Sequence, residues 1–89
     1  MKLINARLMS KLGQPGDYLD VMGQLSNPSV IAQNYYQVNQ NLRLKAIITV
    51  HVDAETIEQF DSVAFNGKKL RILAKSETGF GTQRLEVGN

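Results

Sequence analysis

Val63-Ala64-Phe65-Asn66-Gly67-Lys68-Lys69-Leu70-Arg71-Ile72 is the stretch from which the fold can be read. An Asn-Gly pair between two alternating apolar runs marks a two-residue hairpin, because both central residues of a type I′ turn need positive φ, which Asn tolerates and Gly adopts without strain. The loop length sets the register, with Phe65 opposite Lys68 and Val63 opposite Leu70. Val63, Phe65, Leu70 and Ile72 therefore project from one face, which should be core. A lone ribbon is marginal in water, so the rest of the chain must cover that face.

Upstream, Leu42 to Val52 is the most β-prone run. Ala46, Ile48, Val50 and Val52 lie on one side, and Lys45, Ile47, Thr49 and His51 on the other. Ile47 on the outward side implies that this strand is covered on both faces for part of its length. Asp53 can cap a short helical turn over Ala54-Glu55-Thr56-Ile57-Glu58, with Ile57 and Phe60 spaced to pin it to the sheet. Downstream, Lys75 to Thr82 reads as a turn region centred on Gly79-Phe80-Gly81. Gln83 to Val87 reads as a short strand with Leu85 and Val87 inward.

Nearer the start, Pro15-Gly16 presets a turn. Tyr18 to Leu25 alternates as a strand, with Gly23 at a bend or bulge and Asn27-Pro28 as its stop. Ile4, Leu8 and Leu12 recur at helical spacing with Gly13 placed to end the helix, which predicts an N-terminal helix over residues 1–12. Residues 26–41 hold no charge, are dominated by Asn and Gln and lack periodicity, which predicts a long polar loop. Tyr35, Tyr36 and Val38 are its candidate interface residues, the tyrosines being low-entropy amphipathic anchors. The sum is a single mainly β domain over residues 1–89, a small antiparallel β-barrel or sandwich of four or five strands over residues 17–89.

With 89 residues and no Cys, the chain supports one modest core without disulfides or thiolate metal sites. Asn5 and Arg7 interrupt the opening apolar run before a signal-peptide core could form, and no run is long enough for a membrane span, so a soluble cytoplasmic chain is expected. The net charge is only +2. Its distribution is informative: Asp53, Glu55, Glu58 and Asp61 precede the hairpin, whereas Lys68, Lys69, Arg71 and Lys75 lie on and after it. These are either two solvated faces or a self-complementary pair, the basic hairpin of one copy meeting the acidic segment of the next head to tail.

Catalytic equipment is not visible. His51 is the only His and has no evident triad or metal partners. The acidic set lacks the ligand periodicity and central Gly of a calcium loop, and Gly79-Phe80-Gly81-Thr82 lacks the third Gly and following helix of a phosphate loop. No enzymatic activity, cofactor or metal is expected. A single-strand nucleic-acid module, the alternative for a small barrel, calls for aromatics interleaved with Lys and Arg on an exposed face. Phe65 falls on the core face, and Tyr35-Tyr36 lie in a stretch without a basic residue.

Taken in order, these segments resemble the small head-to-tail joining proteins of tailed phages, above all the lambda-type tail attachment proteins. The likeness is carried by Gly16 through Pro28, ending in Leu25-Ser26-Asn27-Pro28, and by Thr49-Val50-His51-Val52-Asp53-Ala54-Glu55-Thr56-Ile57. It continues through Phe60-Asp61-Ser62-Val63 into Asn66-Gly67-Lys68-Lys69-Leu70-Arg71-Ile72. The chain departs from that pattern in a shorter N-terminal region and in ending soon after the last strand. The resemblance implies a non-enzymatic adaptor that forms a connector ring between head, neck or portal proteins and tail proteins, in the virion or in the host cytoplasm during assembly. It also implies that the 26–41 loop orders within that ring. From the residues themselves no membrane partner is expected, and the nucleic-acid signal is weak, leaving the single-strand module as the alternative.

Overall fold

The computed structural model describes residues 2–10 and 18–89. At its organising turn, Asn66 has φ 49° and Gly67 φ 75°. They join β4 (Phe60–Phe65) to β5 (Lys68–Gly79) with Phe65 opposite Lys68 and Val63 opposite Leu70. Val63 and Phe65 are buried, and Leu70 and Ile72 pack against them.

The ribbon belongs to a closed antiparallel barrel. Its other strands are β1 (Lys2–Ser10), β2 (Tyr18–Ser26), β3 (Leu44–Val50) and β6 (Thr82–Gly88), in the order β1-β2-β3-β6-β5-β4. Pairing of Arg7 with Ala64 and Leu8 with Val63 closes the barrel. Alternation sends Ile4, Ala6 and Leu8, then Ala46, Ile48 and Val50, then Leu85 and Val87 into one interior. Each large side chain buried there contributes roughly 1.5–3 kcal/mol. Extra residues near Leu73 and Thr78 shift the β5–β6 register, so a long strand bends around a shorter one.

Several expectations are corrected. Residues 2–10 form β1, not part of an N-terminal helix; Ile4 and Leu8 are four apart, a spacing that satisfies both helix and strand, and buried Ala6 between them selects the strand. Met1, Leu12, Gly13 and the Pro15-Gly16 turn fall outside the described residues. Gly23 sits at no bulge in its pairing with β1. It is glycine because a Cβ would lie 2.9 Å from Ile48 Cγ2 and 3.1 Å from the Thr49 carbonyl oxygen. The expected turn region around Gly79 is mostly strand, with only Phe80-Gly81 between the last β5–β6 pair, Gly79 and Thr82. Among the described residues six strands are present where four or five were expected.

The polar loop is also corrected. Residues 26–41 contain α1 (Val30–Gln40), and β3 begins only at Leu44. The short turn after β3 is present as α2 (Ala54–Ile57), capped by Asp53 as expected, and its Ile57 is fully buried among Val52, Phe60 and the barrel interior.

Candidate interaction surfaces

Helix α1 is defined by local hydrogen bonds. Ser29 is extended, and its Oγ accepts from the Ala32 N–H at 3.1 Å. Gln33 Nε2 donates to the Pro28 carbonyl at 3.1 Å. At the far end Asn41 takes the left-handed conformation and the Leu42 N–H returns to the Tyr36 carbonyl at 3.1 Å, so polar caps replace solvent at both ends.

One side of α1 rests on the outside of β3. Ile47 points away from the interior and pairs with Glu86, yet it is buried, as the apolar content of both strand faces requires. Tyr36 supplies the helix side of this contact and is only 6% exposed. Burial, and then the neighbouring Glu86 carboxylate, push its hydroxyl up to about 12. Arg84, 3.3 Å from Glu86, offsets part of that negative field. Tyr35 meets Tyr36 edge to face with ring centres 5.5 Å apart.

The other side of α1 is apolar and open. Val30 is 71% exposed, Ile31 83%, Tyr35 56% and Val38 80%. Ile31, Tyr35 and Val38 follow the i, i+4, i+7 spacing of a single helix face. No charged residue occurs anywhere from Ser26 to Leu42. Of the expected interface residues, Tyr35 and Val38 stand on this stripe, whereas Tyr36 faces the barrel and offers no surface. Ile31 is added to the stripe by its i, i+4, i+7 spacing to Tyr35 and Val38, the signal available in the sequence, and exposed Val30 lies to one side of it.

The two charged sets occupy different places. Asp53, Glu55 and Glu58 are exposed around α2, which seals the end of the barrel where β6 begins. His51 Nδ1 and Thr82 Oγ1, 3.3 Å apart, tie the end of β3 to the same region. Asp53 Oδ1 accepts from the Thr56 N–H at 2.8 Å, and hydrogen bonding by Thr56 holds its carboxyl below the usual aspartate value. Lys68 and Lys69 follow the Asn66-Gly67 turn at the opposite end. Strand β6 runs from Thr82 at the acidic end to Gly88, paired with Leu44 and Arg71, near the basic end, a span of about 20 Å. Arg71 also pairs with Ser62, which leaves Asp61 one position further along β4 toward the acidic end. Among the described residues none of these seven charges is in an ion pair.

Among the described residues no three His, Asp or Glu side chains gather where they could hold a metal, and no helix is long and apolar enough to cross a membrane. What the fold and its surfaces define is a small closed barrel with an externally docked helix and two ends of opposite charge. No family model matches the chain, and neither a curated protein nor a solved structure is found to match it.

Proposed function

We propose that this protein is a non-enzymatic structural adaptor, a connector subunit that joins the head or portal of a phage or prophage particle to its tail and self-associates into a ring on assembly. The observation that carries this is the outward apolar stripe of α1 on an uncharged segment. Covering Val30, Ile31, Tyr35 and Val38 would remove on the order of 400 Å² of apolar surface from water. That is the patch size associated with binding sites, and about half of one partner's share of a standard interface. The sequence resemblance supplies the setting, with head, neck or portal proteins and tail proteins as partners. The barrel is the fold that resemblance implies.

The test is a pull-down with tagged chain from the host bacterium after prophage induction, run beside an Ile31→Ser, Tyr35→Ser, Val38→Ser variant, with captured proteins identified by mass spectrometry. Portal, neck or tail proteins are expected with the wild type and not with the variant, while both unfold at the same temperature. Capture of nucleic acid without any virion protein, in a manner that falls steeply with salt, would replace the adaptor by the single-strand binding module.

A further inference from the structure

The turn between β5 and β6 presents Phe80, whose exposure reaches 106%. Among the described residues nothing covers the ring. A Cβ built on either neighbour, Gly79 or Gly81, meets nothing within 4 Å, so the tip stands clear of the barrel on both sides. Phe80 lies at the acidic end, with exposed Glu77 at the base of the turn and Asp53, Glu55 and Glu58 around α2. An aromatic ring presented free at a narrow tip has the form of an interface anchor.

At the opposite end is a groove of about 520 Å³. Leu25, Ala46, Phe65 and Leu70 give it an apolar floor, and exposed Lys45, Lys68 and Lys69 stand around it. Its size falls within the roughly 300–1,000 Å³ of pockets that enclose ring-bearing ligands. The knob and the groove are separated by the length of β6, so Phe80 cannot reach the groove of its own chain. They differ in charge as they do in shape: the knob arrives with carboxylates, and the groove is ringed with ammonium groups.

We infer that Phe80 of one copy seats in the Leu25/Ala46/Phe65/Leu70 groove of a second copy, with Glu77 of the first against Lys68 and Lys69 of the second. The contact is heterologous, so it leaves a free knob and a free groove on every pair and can propagate until it closes. The α1 stripe, on the side of the barrel, is not used by it. It deepens the adaptor proposal by naming the subunit contact, and rests on that proposal for its biological setting.

Sedimentation of the purified full chain over a concentration series, at low and high salt, tests it. Mass should rise with concentration and fall with added salt. Phe80→Ser should weaken association at least about tenfold without lowering the melting temperature, as loss of an anchor residue does. Lys69→Glu and Glu77→Lys should each weaken it, and the Lys69→Glu, Glu77→Lys double variant, which restores opposite charges across the contact, should recover it. A wild-type chain that stays monomeric up to about 1 mM, a Phe80→Ser variant that associates as wild type, or a charge-swapped variant no better than either single change would each overturn it. The same variants in the pull-down separate the two proposals. Phe80→Ser that loses self-association but still captures virion proteins supports both, whereas salt-sensitive self-association with no virion protein captured by any variant sinks the adaptor alone.

Discussion

The two helices begin alike and end in opposite relations to the core. Ser29 caps α1 by accepting from Ala32, and Asp53 caps α2 by accepting from Thr56. Helix α2 is a single turn that would not persist alone; it is held because Ile57 fills the mouth of the barrel beside Val52 and Phe60. Helix α1 has 11 residues and buries one side chain of its own, Tyr36. Its larger apolar surface, Val30, Ile31, Tyr35 and Val38, is turned away from the fold. One helix completes the core, and the other is attached to the outside of a core already complete.

The largest expected effect is at the plug. Ile57→Ala should cost about 2–5 kcal/mol in denaturant unfolding, the range for truncating a buried Ile; an unchanged midpoint would mean that α2 does not seal the barrel. Tyr36→Ala should cost roughly 1–3 kcal/mol. It should also be selective: α1 amides lose hydrogen-exchange protection while those of the interior strands keep theirs. Loss of protection throughout would make α1 part of the same cooperative unit as α2. Tyr36 adds a pH signature. Its folded value of about 12 lies above the ordinary 10.0, so the stability tied to its neutral hydroxyl is complete below pH 10 and is lost as pH rises through 12. Tyr36→Phe should flatten that alkaline slope.

The caps come next. Ser29→Ala should cost about 1 kcal/mol, read mainly as fraying of α1. Asp53→Ala should lower the global melting temperature instead, because fraying α2 loosens Ile57. Its carboxyl is held below the usual 3.8, so the stability it adds is present above that value and disappears as pH falls through the lowered one. Wild type and Asp53→Ala should therefore converge in strong acid; a constant difference would mean that the charge is not what caps the turn. Smallest for stability are Ile31→Ser, Tyr35→Ser and Val38→Ser, each within about 0.5 kcal/mol. If the stripe destabilises the chain on removal, it is packed against something and is not a free surface.

The parts of the fold legible in the sequence are those fixed by neighbours in the chain. Asn66-Gly67 sets its own turn and register, Asp53 its own cap, and Ile47 betrays a strand covered on both sides. Period was ambiguous where it failed: Ile4 and Leu8 fit a helix and a strand equally, and Ala6 contributes too little hydrophobicity to decide. Helix α1 escaped because its stripe does not face the core, so Ile31, Tyr35 and Val38 looked like scattered apolar residues among turn formers. Successive helix residues diverge by about 100°, which is why adjacent Tyr35 and Tyr36 part company once the segment is helical. Charge segregation was legible as composition, but its division between opposite ends depends on a barrel closure that no local pattern encodes.

That closure also governs how quickly the protein can reach its native state. Arg7 must find Ala64, and Leu44 must find Gly88, partners separated by roughly 40 to 60 positions of chain whose loop entropy is lost before any contact repays it. The Asn66-Gly67 ribbon, by contrast, needs only its own few residues. Stopped-flow refolding is therefore expected on the millisecond-to-second scale of non-local β topologies, well slower than the microseconds of helical bundles. Until β1 meets β4 the sheet has two open edges, and the native barrel, once shut, has none left to offer.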